Sequence, residues 1–204
     1  MKKIISLTLL LAIAGTSLAQ KNSNSLLISA GKSWHGTGDL NGIIAEVAYA
    51  HKFKKRLELS AGFTTTINYG KDRGFNGFMA NASPDERLLR FTAAGIQLTP
   101  VLNFAILYTP AFQIKIGAGP IARFQSSSFP QVYGYYQDTA YFPLPFYTFY
   151  DNGKQNTFTA GYTVGATINV CLSKNYETGL KTFFQNDTNG DVITSISLII
   201  GKVL

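Results

Sequence analysis

The chain has 204 residues, a formal net charge of +7, only 14% charged against 13% aromatic residues, and one cysteine. Charge this sparse is unusual for a soluble domain, where charged residues run near a quarter. The lone Cys171 excludes an intramolecular disulfide framework, and the basicity comes without a Lys/Arg-rich patch, which argues against a nucleic-acid partner.

In chain order, Met1–Gln20 reads as a secretory signal. It has a basic start at Lys2 and Lys3, the apolar run Ile4–Ile13, and the small-x-small ending Ser17-Leu18-Ala19. The apolar run is short for a bilayer span, and no later segment offers about 18 unbroken apolar residues. A membrane-anchored N-terminus is therefore the weaker reading, and without a cysteine near the cleavage site so is a lipid anchor. The expected division is a signal over residues 1–19 and one domain over 20–204. Removing Lys2 and Lys3 from the net charge of +7 leaves +5.

The rest of the chain alternates with a period of two, which only an extended strand presents as two faces. The first predicted strand, Leu26–Trp34, sets Leu26, Ile28 and Ala30 against Leu27, Ser29, Gly31 and Ser33. The second, Ile43–Phe53, sets Ile43, Ala45, Val47, Tyr49 and Phe53 against Glu46, Ala48, Ala50 and Lys52. The third, Leu57–Tyr69, keeps the alternation throughout, with Leu59, Phe63 and Ile67 opposite Glu58, Thr64 and Asn68. Phe112–Gln125 and Thr157–Leu172 do the same, and Tyr176–Gln185 and Val192–Leu204 complete the set. The longer of these exceed ordinary strands and match the 9–11 residues that cross a membrane at a tilt.

The fourth strand is irregular. Leu89, Phe91 and Ala93 are apolar in odd phase, whereas Ile96, Leu98, Leu102, Phe104 and Ile106 are apolar in even phase. A bulge near Gly95 would reset the phase, and Pro100 is hard to place in a closed sheet because it donates no hydrogen bond. Turning the chain at Thr99-Pro100 instead gives nine strands. Eight strands give an even number, short turns at Lys54–Arg56, Tyr108–Ala111 and Ser173–Asn175, and outer connections His35–Gly42, Gly70–Glu86, Ser126–Lys154 and Asn186–Gly190. That asymmetry is characteristic of bacterial outer-membrane barrels. The expected fold is therefore all-β: an eight-stranded antiparallel transmembrane β-barrel with short periplasmic turns and longer extracellular loops.

The rival is a soluble eight-stranded barrel of the lipocalin type, with the faces reversed. Against it, the polar face is rich in glycine, threonine, serine and asparagine, which suits the crowded inside of a narrow barrel. Aromatics near strand ends (Trp34, Tyr49, Phe53, Tyr69, Phe112, Phe124, Phe158 and Tyr176) resemble two interfacial girdles. With Gly117-Ala118-Gly119-Pro120 followed by Arg123-Phe124-Gln125-Ser126-Ser127 in the fifth strand, the mature chain resembles the small outer-membrane β-barrel proteins of Bacteroidota. The resemblance implies a fold and a location in the cell outer membrane, not an activity. It departs from the pattern of such barrels at the end, where Leu204 stands in place of a terminal aromatic.

The lumen is expected to hold Glu46, Lys52, Glu58, Arg90, Lys115, Arg123, Glu177 and Lys181 in ion-paired networks, since unpaired burial is costly. A gated polar path is the alternative, but eight strands leave an interior only wide enough for their own side chains. Some barrels of this size modify lipid A with a histidine, a serine and an acid at the outer rim, and His35 lies near Ser33 and Asp39. Spacing alone does not bring a base to a nucleophile. His51 reads as interfacial. Two histidines and one cysteine form no metal-ligand cluster, and no cofactor is expected. Asn186-Asp187-Thr188-Asn189-Gly190 resembles part of a calcium loop but lacks the distal glutamate and reads as a hairpin turn.

The third outer loop carries Tyr133, Tyr135, Tyr136, Tyr141, Phe142, Phe146 and Tyr147 among its aromatics. Loops this long usually have a role, and exposed tyrosines are favoured in recognition. A lid or strand extension is one reading, and a partner surface at 70–86 and 126–154 the other. Three functions follow: a structural or surface-interaction protein, a narrow small-solute barrel, and a lipid-modifying enzyme. The expected partners are outer-membrane lipid, the barrel-assembly machinery during biogenesis, and an extracellular or protein ligand at those loops.

Overall fold

A computed structural model describes the backbone of residues 23–36, 40–75, 86–136, 146–173 and 175–204, and side chains over 24–36, 40–70, 92–128, 153–173 and 175–204. The signal segment, Asp39, Tyr141 and Phe142 lie outside the described residues. Eight strands run antiparallel in chain order: β1 (Ser23–His35), β2 (Leu40–Lys54), β3 (Leu57–Phe75), β4 (Glu86–Tyr108), β5 (Phe112–Tyr136), β6 (Phe146–Cys171), β7 (Tyr176–Asp187) and β8 (Val192–Val203). Each pairs with the next, and β1 pairs with β8 from Ser25↔Val203 to His35↔Ile193, which closes the barrel. Closure gives every strand two neighbours and abolishes free edges.

The alternation sets which face points where, and the faces are those of a membrane barrel rather than a soluble one. Phe158, Leu198 and Ile200 are 73%, 67% and 67% exposed on the outside, whereas Thr64, Asn68, Arg123 and Gln185 are fully buried inside. The reversed arrangement is excluded. Short turns (Lys55–Arg56, Thr109–Ala111 and Leu172–Asn175) mark one end of the barrel. At the long-loop end the β7–β8 connection is a tight hairpin turn: Gly190 adopts φ +77°, where glycine carries no side-chain penalty. Asp187 Oδ1 there accepts the backbone N–H groups of Asn189 (3.0 Å) and Asp191 (3.2 Å).

The fourth strand corrects the sequence reading. Pairing of β3 with β4 runs unbroken from Leu57↔Phe104 to Phe75↔Glu86, with no bulge near Gly95. Ala93 is completely buried, in phase with Gln97 and Thr99, so its methyl group is a small inward filler. The register shift lies at the other end, between Ala105 and Leu107. Gly95 instead makes room: a Cβ there would lie 2.4 Å from Cζ of Arg123.

Pro100 does sit inside the closed sheet, and the register explains how. Between Leu98↔Ala122 and Leu102↔Ala118 the β4–β5 ladder has no pairs, and the flanking register sets Pro100 against Pro120. Losing these three pairs and no others means that the two missing N–H groups face one another. Both residues keep their pairs on the far side, Ala61↔Pro100 and Pro120↔Tyr162. The two carbonyls at the gap have no ladder donor. Gly119 is required beside it, because a Cβ would stand 1.8 Å from the Pro100 carbonyl oxygen.

Strand lengths divide the wall. β7, β8, β1 and β2 have 12, 12, 13 and 15 residues, whereas β3 to β6 have 19, 23, 25 and 26. Within the segments expected as loops at 70–86 and 126–154, the described residues 70–75, 86, 126–136 and 146–154 are paired strand. Gly70↔Phe91 continues to Phe75↔Glu86, and Ser126↔Asn156 continues to Tyr136↔Phe146. For 126–154 this is the strand extension expected as one of two readings; alternation did not mark it, because a hairpin that meets the same surroundings on both faces needs no polar–apolar alternation.

Candidate functional site: the polar lumen and its mouth

Inward positions are short and polar because eight strands enclose little space. Near the short-turn end, Lys115 of β5 reaches Glu58 of β3, Nζ to Oε2 2.6 Å, with side chains 6% and 10% exposed. Glu177 of β7 accepts Asn169 Nδ2 at 2.9 Å. At mid-height Lys181 of β7 donates to both carboxylate oxygens of Glu46 on β2, at 2.6 and 2.8 Å, and Thr64 Oγ1 donates to the same carboxylate at 3.1 Å. A buried charge needs this kind of enclosure, since solvation by water is lost.

Arg123 is handled differently. Its guanidinium donates to Gln125 Oε1 (2.9 Å), Gln97 Oε1 (3.0 Å) and Thr66 Oγ1 (2.9 Å), all neutral acceptors. The amides extend the network: Gln97 Nε2 donates to Gln185 Oε1 at 2.9 Å, and Gln125 Nε2 to Asp191 Oδ2 at 3.0 Å. Asp187 Oδ2 accepts Thr159 Oγ1 at 2.9 Å. At the mouth the buried His35 ring stands 3.4 Å from Asp191, Nε2 to Oδ1. His35 holds the Asp191 carboxyl below the ordinary carboxylate range, against an opposing effect of burial and with support from Gln125 and Arg123.

Of the expected lumen charges, Glu46, Glu58, Lys115, Arg123, Glu177 and Lys181 lie inside. Lys52 shares their inward phase, opposite Glu58, but is half-buried at the short-turn rim, its Nζ 5.3 Å from the centre of the Tyr108 ring. Arg90 belongs to a part of β4 whose side chains are not described, and the phase shift on which its inward placement depended is absent. Charge alone was too narrow a criterion. Gln97, Gln125, Gln185, Asn169, Asp187 and Asp191 were missed, although strand parity already placed Gln125 inside. Their pairing across the lumen depends on barrel closure, and Gln97 and Gln185 are 88 residues apart.

Two small cavities of about 20 and 40 Å³ share Glu46, Val101, Asn103, Thr167 and Lys181 in their linings. A water needs about 10–15 Å³, so each has room for one or a few. Of the aromatic residues singled out in the third loop, Tyr133, Tyr135 and Tyr136 lie on β5 and Phe146 and Tyr147 on β6, where the backbones pair Tyr135↔Tyr147 and Tyr136↔Phe146.

Solved structures share this architecture. Ail, the attachment invasion locus protein of Yersinia pestis, superimposes with a TM-score of 0.53 at 12% identity, over 91% of this chain and 100% of that one. A major outer membrane protein from Thermus thermophilus gives 0.52 at 9% identity, again over 91% and 100%. The fold is that of an outer-membrane β-barrel. No protein-family model matches the sequence, and no curated protein matches it. At these identities the likeness is one of fold alone, and the outer-membrane barrel fold hosts several activities.

Proposed function

We propose that the protein is an integral outer-membrane β-barrel with a structural or surface-interaction role, presenting residues 70–86 and 126–154 outside the cell. The observation that carries this reading is the pairing of an apolar outward face with a polar, side-chain-filled interior. Only a lipid surrounding favours that inversion. Outer-membrane lipid is then its solvent and the barrel-assembly machinery its partner in biogenesis. The paired arms β3–β4 and β5–β6 support display, because a hairpin holds its tip away from the membrane more firmly than a loop does. An exported Bacteroidota protein is the source that the sequence resemblance favours.

A second reading, a narrow small-solute barrel, draws on the two lumen cavities. The Lys115–Glu58 and Lys181–Glu46 pairs stand in their linings, which favours a plug over a path. The enzymatic reading draws least support. Ser33 is fully buried and accepts Asn68 Nδ2 at 2.9 Å, and His35 is turned toward Asp191. Neither faces lipid.

The test is migration on unboiled gels together with protease access on intact cells. Heat-modifiable migration and cleavage within Ser126–Lys154 are expected. Recovery of the chain as a soluble periplasmic protein would sink the membrane reading. Conductance across a bilayer containing folded protein would replace the plug with the channel.

A further inference from the structure

The outward face carries one cation among its apolar rows that the barrel does not explain. Lys32 of β1 is exposed, in phase with the outward Leu26 and Ile28, and is flanked by Ile43 on β2 and Ile196 on β8. Among the described residues of that face, the other lysines lie at its margins: Lys54 at the end of β2, Lys202 near the end of β8, and Lys154 across from Ser128. No carboxylate shares the face among the described residues.

The Lys32 ammonium is directed rather than loose. Its Nζ sits 5.3 Å from the centre of the Trp34 ring, one outward position nearer the long-loop end. In that row Trp34 pairs with Asn41 on one side and Thr194 on the other. The apolar rows therefore end here in an ammonium, an indole, an amide and a hydroxyl. Indoles settle at the membrane–water interface, so Trp34 holds the charge at headgroup depth. A compact ammonium with neutral donors close by is the chemistry that recognises phosphate.

We propose that Lys32, Trp34, Asn41 and Thr194 form a docking site for the anionic phosphate headgroup of an outer-leaflet lipid. The inference rests on the membrane reading above. It adds a specific lipid contact on the β8–β1–β2 side, away from the β5–β6 arm.

The chain supplies its own reporter, since Trp34 is its only tryptophan. Purified protein is reconstituted in phosphatidylcholine vesicles, and Trp34 emission is followed as lipid A or phosphatidylglycerol is added. Inorganic phosphate in the buffer serves as a third arm. A saturable change is expected with lipid, and Lys32→Gln weakens it about fivefold, the effect of one lysine at an anionic surface. Saturation with both lipids assigns a shared phosphate headgroup, and saturation with lipid A alone assigns its glycolipid phosphate.

A non-saturating response, a response equal in Lys32→Gln, or one produced as well by inorganic phosphate overturns the site and leaves Lys32 as a snorkelling side chain. Heat-modifiable migration of both proteins separates this outcome from failure of the membrane reading. If neither inserts, the barrel assignment falls and the site falls with it.

Discussion

The short wall of the barrel, β7–β8–β1–β2, and the tall wall, β3–β6, are built by the same alternation but end differently. The short wall stops at the mouth, where the β7–β8 turn brings Asp191 to His35 and Gln125. The tall wall continues as two hairpin arms, β3–β4 to Phe75↔Glu86 and β5–β6 to Tyr136↔Phe146. Where a strand separates lipid from lumen, each residue answers to one of two solvents and its sequence shows it. Above that level backbone pairing alone carries the arm, and the sequence is released for other uses.

The largest effect is expected in the tall wall. Gly119→Val drives a side chain into the Pro100 carbonyl, 1.8 Å from the Cβ position. It should cost about 4 kcal/mol or more, read as loss of the heat-modifiable band.

The two ion pairs come next. Lys115–Glu58 joins two strands of the tall wall and is almost fully enclosed, whereas Lys181, at 23% exposed, keeps some solvent beside Glu46 in the short wall. Glu58→Ala strands a buried ammonium and should lower stability by about 3–5 kcal/mol in urea unfolding. Glu46→Ala should cost less, about 1–3 kcal/mol, and the double change Glu58→Leu with Lys115→Met should restore most of the larger loss. Equal losses at the two sites would remove the distinction.

Smaller is Pro100→Ala, which returns one N–H to the Pro120 carbonyl. The new bond contributes about 0.5–1.5 kcal/mol and the freer unfolded chain removes about 0.4–1 kcal/mol, so a gain of up to about 1 kcal/mol is expected in the same assay. The least effect should follow excision of residues 129–153 with an Asn-Gly turn joining the paired residues Ser128 and Lys154. Barrel stability should stay within about 0.5 kcal/mol, and a larger loss would show that the arm supports the wall.

Strand number, order and facing were legible because Leu57–Tyr69 and Thr157–Leu172 alternate without a break. The fourth strand misled. Leu89 and Phe91 belong to an arm that alternation no longer governs, Ala93 is small enough to fill the lumen, and the real shift hides in the uniformly apolar Ala105-Ile106-Leu107. The Glu58, Glu46 and Lys181 placements followed from parity. Their partners did not, because a contact across the lumen depends on which strands face each other after closure. The same holds for Arg123, whose neutral partners carry no charge signal.

The facing prolines have a consequence for how the wall is assembled. A hairpin zips from its turn, and from the β4–β5 turn at Thr109–Ala111 the ladder advances only to Leu102↔Ala118 before three pairs are missing. Beyond that break, alignment must be found again, and a slip by one place would turn lipid-facing side chains inward. Arg123 stands just past it, bonded at once to Thr66 on β3, Gln97 on β4 and Gln125 on its own strand. Three strands are thereby fixed to one another by a single side chain where the backbone lets go. The guanidinium is thus a registration pin as much as a filler of the lumen.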